Sequence, residues 1–139
     1  MKVGATLHEL RSDPSETLRQ LTDTAPNRAE KVMLHLKGGV GDRQRCFIGS
    51  LNLDPRSLEI NTEAGLFIES PSLARELAEH FEFLMASENA WRVSSDQPEG
   101  KGQLRWRSGD EEVTIQPADN LGSRVKDLIL GTLPVKSQL

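Results

Sequence analysis

Apolar and polar residues alternate along four stretches of the first half of the chain, and this alternation predicts short β-strands. The first stretch is VGATLHEL. The second is KVMLHLKGGVGD, where His35 and Lys37 share one strand face because successive side chains alternate. The third is QRCFIGSLNL, joined to the second by a segment from Asp42 to Arg45 that is short enough for a hairpin. The fourth, INTEAGLFIES, is expected to be covered on both faces.

Helical periodicity replaces the alternation after Ser70. Ser70 suits an N-cap and Pro71 a first helical position. Apolar residues then recur at helical spacing, which predicts an amphipathic helix of about 17 residues. A small hairpin is expected in QLRWRSGDEEVTIQP, and a second apolar stripe runs from Leu121 to Leu133. The polar segment near Ser15 allows either a helical turn or a loop.

Together these elements predict an α/β fold, with a mixed β-sheet packed with helices. The 139 residues fit a single domain. Its core is expected over about residues 1–92, with a C-terminal hairpin and helix over about residues 102–139. No stretch of the sequence approaches the ~20 consecutive apolar residues that a membrane span needs.

Composition narrows the classes of function. The chain has 17 Lys and Arg against 21 Asp and Glu, a net charge of -4. This balance gives no general attraction to nucleic acid, so no nucleic-acid partner is expected and any phosphate binding must be local. The single cysteine, Cys46, rules out an internal disulfide and a cysteine-based zinc cluster.

Five side chains suited to phosphate chemistry can converge at one end of the predicted sheet. They do so if the second and third strands pair and the fourth lies beside them; the five are His35, Lys37, Ser50, Asn52 and Glu63. A neutral imidazole can attack phosphorus covalently, and a lysine can stabilise the charge on the non-bridging oxygens. Ser50 and Asn52 add hydrogen-bond donors, while Glu63 can hold the histidine tautomer. None of these steps requires a metal, and no cofactor is expected.

These residues carry a resemblance to a known family. The pattern H-x-K-x(4)-D-x(6)-G-S-x-N is formed by His35, Lys37, Asp42, Gly49, Ser50 and Asn52. It resembles the HKD motif of the phospholipase D superfamily. The run GSLNLDPRSLEINTEAGLFIESPSLA and the tail LGTLPVKSQL resemble the bacterial cardiolipin synthase branch. The chain is similar to the C-terminal half of those synthases over nearly its whole length.

The resemblance implies a role for each matching residue. His35 would be either the phosphohistidine nucleophile or the general acid, and Lys37 would contact phosphate. Ser50 and Asn52 would line the phosphate pocket, and Glu63 would orient the imidazole. The resemblance also counts Asp42 among the catalytic residues. Asp42 would act indirectly, by supporting residues that contact the substrate, or would have a structural role.

Two departures from the family pattern bear on activity. The strand that leads to Asp42 reads Gly38, Gly39, Val40 and Gly41, where relatives are usually apolar, and glycines weaken a strand interior by roughly 0.5–1 kcal/mol each. The family also implies two HKD motifs, one histidine attacking and the other protonating the leaving oxygen. This chain has one such motif, and neither His8 nor His80 has a lysine two residues later.

The second histidine must therefore come from elsewhere. Either two copies form a symmetric pair, or the chain is the C-terminal half of a longer two-motif protein, which the abrupt start of the resemblance favours. The resemblance implies the catalytic half of a phosphatidyltransferase that acts on phospholipid, with possible peripheral membrane contact and a location in the cytoplasm or at the inner membrane. The alternatives are a homodimeric phosphodiesterase or nuclease and a non-catalytic fragment.

Overall fold

The computed structural model describes residues 5–23, 32, 34–97 and 102–117. The chain divides into two compact units. Unit 1 takes its described residues from Met1–Leu34 and Glu82–Asn120, and unit 2 takes them from His35–Phe81. The single domain expected from chain length stays a prediction. The apolar stripe from Leu121 to Leu133 lies outside the described residues.

The described residues contain both strands and helices, interspersed along the chain, which confirms the expected α/β fold. In chain order the elements are β1 (Leu7–Leu10), α1 (Glu16–Thr22), β2 (Gly38–Gly41), β3 (Arg45–Gly49), α2 (Pro55–Glu59), β4 (Gly65–Glu69), α3 (Pro71–Leu84), β5 (Ala90–Ser95), β6 (Leu104–Ser108) and β7 (Glu111–Val113). The strands form two antiparallel sheets. One has four strands in the order β1-β5-β6-β7, and the other has three in the order β2-β3-β4.

Two buried tryptophans organise the sheet of unit 1. Trp91 on β5 lies under the guanidinium of Arg11, whose carbon is 4.3 Å from the ring centroid. Trp106 on β6 pairs with Val113 across the predicted hairpin, and its indole Nε1 donates to a carboxylate oxygen of Glu9 at 2.7 Å. Each ring is therefore buried together with a polar partner, as large amphipathic side chains require.

Asn89 is fully buried and connects α1 to the rest of unit 1. Its side-chain oxygen accepts from the backbone N–H of Ser15 at 3.1 Å and from the Ser15 hydroxyl at 2.7 Å. Its amide donates to the carbonyl of Phe83 at 2.9 Å. Ser15 is the N-cap of α1 and accepts from the N–H of Leu18. The segment that the sequence left open between a helical turn and a loop is therefore a capped helix.

The three-stranded sheet of unit 2 carries the residues of interest. The register places Gly39 opposite Phe47 and Phe47 opposite Phe67, so these three residues share one face of the sheet. On the other face, a side chain at Gly38 would lie 3.6 Å from the ring of Phe81 on α3. This amphipathic helix begins at Pro71 as predicted and has 14 residues.

Three details of the predicted strands are wrong. β2 begins at Gly38 rather than near Val32, because β3 ends at Gly49 and the chain then leaves the sheet toward α2. β4 is not covered on both faces, since Phe67 is 88% exposed. The sequence also gave no sign of β5, which pairs with both β1 and β6. The turn after Gly41 is confirmed, with Gly41 opposite Arg45.

The glycines of this sheet differ in the space around them, which predicts opposite effects of alanine. A Cβ at Gly49 would lie 2.7 Å from the carbonyl oxygen of Ala64 and 2.7 Å from the ring of Phe47, whereas a Cβ at Gly39 would meet nothing within 4 Å. We expect Gly49→Ala to lower the free energy of unfolding by about 1–3 kcal/mol. Gly39→Ala should instead raise it by roughly 0.5–1 kcal/mol, because alanine favours strand geometry over glycine.

Urea unfolding of the full chain compares the two alanine variants directly. The transition midpoint should fall for Gly49→Ala and rise slightly for Gly39→Ala, at an unchanged slope. Equal shifts in the same direction would contradict the close approach of Phe47 and Ala64 to Gly49.

Candidate functional site

Three of the predicted site residues, Lys37, Ser50 and Glu63, lie where the three strands of unit 2 end. The backbone N–H of Gly49 donates to the carbonyl of Lys37 at 3.0 Å, which adds one hydrogen bond beyond β2. The N–H of Ser50 donates to the carbonyl of Ala64 at 2.9 Å, which adds one hydrogen bond beyond the paired residues of β3 and β4. These two bonds continue the register of the sheet, so Lys37, Ser50 and Glu63 are carried to one sheet end.

Ser50 and Glu63 form a hydrogen-bonded pair at this end. The Ser50 hydroxyl donates to a carboxylate oxygen of Glu63 at 2.5 Å and accepts from the N–H of Ala64 at 3.0 Å. The bond from Ser50 lowers the pKa of the Glu63 carboxyl, and hydrogen bonds from Ser57 and Asn61 lower it further. Glu63 therefore keeps its negative charge to a lower pH than an ordinary glutamate.

Removing the Ser50 hydroxyl should raise the pKa of Glu63. Because the folded-state pKa of Glu63 lies below its unfolded value, the stabilisation is present above the unfolded value and is lost as the pH falls through the folded one. Ser50→Ala should raise the pKa of Glu63. It should also reduce the loss of folding stability that accompanies protonation of Glu63 at low pH. An NMR titration of the side-chain carboxyl carbon of Glu63 measures the shift.

Ser57→Ala is the matched comparison for this titration, because Ser57 lowers the same pKa less than Ser50 does. We expect the upward shift to be smaller for Ser57→Ala than for Ser50→Ala. The reverse order, or an unchanged pKa in Ser50→Ala, would contradict the dominant role of the Ser50 bond.

Lys37 lies beside the backbone of His35. Its ammonium group donates to the His35 carbonyl at 3.1 Å, and its side chain is half-buried. His35 is exposed, and among the described residues no hydrogen-bond partner is seen for its imidazole. The predicted contact between His35 and Glu63 is thus not formed in this structure, where the Glu63 carboxylate accepts from Ser50 instead.

Asp42 lies away from the other predicted site residues. It occupies the turn between β2 and β3 and has a backbone φ of 53°, a left-handed conformation in which aspartate is enriched. Five residues of extended chain separate it from Lys37, a distance of about 16 Å at ~3.3 Å per residue. The position favours a structural role for Asp42 in the turn.

Lys37 and Asn52 line a common cavity of about 590 Å³. Its remaining walls are glycine or apolar: Leu36, Gly38, Gly39, Phe47, Leu51, Leu53 and Phe67. The rings of Phe47 and Phe67 lie 4.9 Å apart between centroids, tilted by 43°. The two polar residues predicted to contact phosphate therefore belong to one pocket whose other walls are hydrophobic.

Sequence reasoning missed the aromatic pair and the further donors to Glu63. A sequence signal for the pair exists, because Phe47-x-Gly49 on β3 runs antiparallel to Gly65-x-Phe67 on β4. A Cβ at Gly65 would lie 2.4 Å from the Phe47 ring, so that ring lies directly over the glycines. The donors Ser57 and Asn61 lie in and after α2, and no spacing rule connects them to Glu63.

The described part of the chain shows neither a cluster of metal ligands nor a membrane-spanning helix. No group of three or more His, Cys, Asp or Glu side chains there could hold a metal ion. Across the same residues, no helix combines the length and the hydrophobicity needed to cross a membrane.

A cation, a carboxamide and a hydroxyl–carboxylate pair thus surround the end of a three-stranded sheet, next to an exposed histidine. With the H-x-K and G-S-x-N spacing, this defines a phospholipase D-like domain. A family model described as "Cardiolipin synthase, PLD-like domain" matches residues 4–85. The chain belongs to this family.

Curated relatives match different lengths of the chain. Cardiolipin synthase C of Escherichia coli K12 is 32% identical over 142 aligned positions, which cover 98% of this chain and 28% of that protein. An uncharacterized protein of Helicobacter pylori is 35% identical over 77 positions, 55% of this chain and 14% of its own length. Cardiolipin synthase of Clostridium perfringens is 36% identical over 52 positions, 37% of this chain and 11% of that protein.

The chain therefore spans less than a third of the length of these curated relatives. No solved structure matches it significantly.

Proposed function

We propose that this chain supplies one half of the active site of a phosphatidyltransferase of the cardiolipin synthase type, acting on the phosphodiester of a phospholipid. The observation that carries the proposal is the shared cavity of Lys37 and Asn52 at the sheet end that also holds the Ser50–Glu63 pair. Membership of the cardiolipin synthase family supports the choice of substrate class.

The first proposed step is attack by a neutral imidazole nitrogen of His35 on phosphorus. A nitrogen–phosphorus bond forms, the bond from phosphorus to the leaving oxygen breaks, and the electron pair leaves with that oxygen. A histidine of the second motif protonates the leaving group. An acceptor hydroxyl, or water, then attacks phosphorus and passes its proton to that second histidine, and the nitrogen–phosphorus bond breaks, which restores His35.

Lys37 and Asn52 would stabilise the transition state of both steps. The charge on the non-bridging oxygens persists through the displacement, and a fixed cation and an amide donor in a largely apolar cavity stabilise it more strongly than water does. The Ser50 hydroxyl donates its hydrogen bond to the ionised Glu63 carboxylate. Ser50 can therefore donate to phosphate only after this hydrogen bond breaks.

The second histidine would come from a partner half, supplied either by a longer chain or by a second copy. The phospholipid substrate places the site at a membrane surface, in the cytoplasm or at the inner membrane. The net charge of -4 disfavours a nucleic-acid substrate, which requires a positively charged groove.

An activated phosphodiester tests the chemistry of this half-site alone. Bis(p-nitrophenyl) phosphate has a leaving group that departs without a proton donor, so attack by His35 does not depend on a second histidine. One p-nitrophenolate should leave, and an acid-labile p-nitrophenylphosphoryl group should remain on the peptide that contains His35, where mass spectrometry locates it. No label above background would contradict the proposal and favour a non-catalytic domain. Sedimentation would separately show whether two copies associate.

A further inference from the structure

The short helix α2 contains one buried residue, Ser57. It is 4% exposed, whereas the other four residues of this helix are exposed. Its backbone N–H donates to the carboxylate of Asp54, the N-cap of α2, at 2.8 Å. A serine hydroxyl buried in this way requires hydrogen-bond partners, because an unpartnered polar group costs stability. The partners of Ser57 therefore show which group α2 supports.

Hydrogen bonds run in one direction through Arg56, Asn61 and Ser57, which we call the α2 network. The guanidinium Nε of Arg56 donates to the side-chain oxygen of Asn61 at 3.4 Å. The amide nitrogen of Asn61 donates to the hydroxyl oxygen of Ser57, also at 3.4 Å. Ser57 keeps its own proton to donate, and the Glu63 carboxylate accepts from Ser57 and from Asn61. Each donor in such a chain polarises the next, so the network leads from a cation to a carboxylate.

Glu63 therefore has donors on two different elements. Ser50, directly after β3, donates at 2.5 Å, while Ser57 and Asn61 donate from α2 and the residues that follow it. Ser50 is exposed and Ser57 is buried, so an incoming phosphate can reach the Ser50 hydroxyl but not that of Ser57. The bond from Ser50 can thus be exchanged for a ligand, whereas the α2 network stays with the protein.

We propose that Ser57 and Asn61 are positioning residues, which hold the Glu63 carboxylate in place when the Ser50 hydroxyl leaves it for a substrate phosphate. This inference rests on the proposed function and concerns the change of partner that Ser50 must make. With the α2 network intact, Glu63 keeps donors after the Ser50 bond breaks. Without Ser57, Glu63 depends more strongly on Ser50 and competes with phosphate for its proton.

Titration calorimetry of the full chain with glycerophosphoglycerol, a soluble phosphodiester, measures how easily Ser50 changes partner. One hydrogen bond to a charged group changes an equilibrium by about tenfold, so Ser57→Ala should bind this diester about tenfold more weakly than the wild type. Ser57→Thr keeps a hydroxyl and should restore the affinity to within about threefold of the wild type. Equal affinities of Ser57→Ala and the wild type would overturn the proposal.

Asp54→Ala is the matched control for a purely structural role of Ser57. It removes the N-cap of α2, which destabilises a helix, but it leaves the donors to Glu63 in the chain. Hydrogen bonds, above all that of Ser50, lower the pKa of Glu63, whereas the charge of Asp54 raises it. Asp54→Ala should therefore lower this pKa and Ser57→Ala should raise it, and Asp54→Ala should bind the diester at least as tightly as the wild type. An equal loss of affinity in both variants would assign Ser57 to the structure of α2.

The carboxyl carbon of Glu63, followed by NMR, reports the change of partner itself. In the free chain, Ser50→Ala should raise the pKa of Glu63 more than Ser57→Ala does. With saturating glycerophosphoglycerol, Ser50 donates to phosphate, so Ser50→Ala should leave this pKa close to that of the equally saturated wild type. Ser57→Ala should then have the larger effect. The same order of the two variants in the free and the saturated chain would overturn the proposal.

Labelling of His35 judges the proposed function separately. A reversed order of the two variants without labelling overturns that function alone. Labelling with equal diester affinity in Ser57→Ala and the wild type, or without measurable diester binding, overturns the positioning role alone. A wild-type chain that neither binds the diester nor becomes labelled overturns both.

Discussion

Replacing His35 by asparagine should abolish the acid-labile label that bis(p-nitrophenyl) phosphate leaves on the chain. The carboxamide of asparagine is no nucleophile toward phosphorus, so the rate of label formation should fall by more than about 10³-fold. His35 is exposed, and no described residue accepts from or donates to its imidazole, so the variant should unfold at the wild-type urea concentration. Quantitative mass spectrometry of the His35 peptide over time measures the rate.

His80 is the matched control for this variant. It is exposed on α3 and has no lysine two residues later in the sequence. His80→Asn should therefore leave the rate of labelling within about twofold of the wild type, since surface substitutions away from a site have small effects. Persistent label in His35→Asn, or its loss in His80→Asn, would assign the nucleophile to a residue other than His35.

The sequence predicted the sheet that holds the site because local signals and register agree there. The alternation in QRCFIGSLNL and INTEAGLFIES predicted two strands, and the short turn after Gly41 favoured a hairpin. The site also needed the fourth stretch to lie beside the third, and the order β2-β3-β4 in the structure meets that condition. Once that order is known, the spacing from Lys37 to Ser50 places both residues at one sheet end.

Other features depend on contacts between distant parts of the chain, which no local pattern records. Ser15 and Asn89 are 74 positions apart, yet their hydrogen bonds fix the start of α1. β5 follows α3 closely and has mixed composition, so its strand structure comes from pairing with β1 and β6 rather than from alternation. Two walls of the cavity, likewise, are the rings of Phe47 and Phe67, which come from different strands and lie 4.9 Å apart between centroids.

The spacing pattern also grouped residues that perform different tasks in the fold. Asp42 fits the H-x-K-x(4)-D spacing, but the length of β2 carries it to the turn. Glu63 was expected to hold the imidazole of His35, whereas its carboxylate accepts from Ser50. The motif therefore identified the family, while the geometry shows which of its members lie near one another.

Replacing Lys37 by methionine should slow labelling of His35 by about 10²–10³-fold, the usual effect of removing one group that stabilises transition-state charge. Methionine keeps an unbranched apolar side chain, which preserves packing along the cavity wall while removing the ammonium group. The side chain of Lys37 is half-buried beside Phe47 and Phe67 in this cavity, where a charge acts over a lower dielectric than in water. Single-turnover labelling at saturating diester separates this effect from weaker binding.

Arg45→Met tests whether position or overall charge is responsible. Arg45 is on the same sheet, at the end near the turn, where its guanidinium pairs with Glu69 at 3.2 Å and remains largely exposed. Both variants remove one positive charge from a chain of net charge -4, so a general electrostatic effect would slow both equally. We expect Arg45→Met to label within about twofold of the wild type, because exposed ion pairs contribute little and their charges are screened. Equal slowing by the two variants would mean that Lys37 attracts the diester from a distance and does not contact its phosphate.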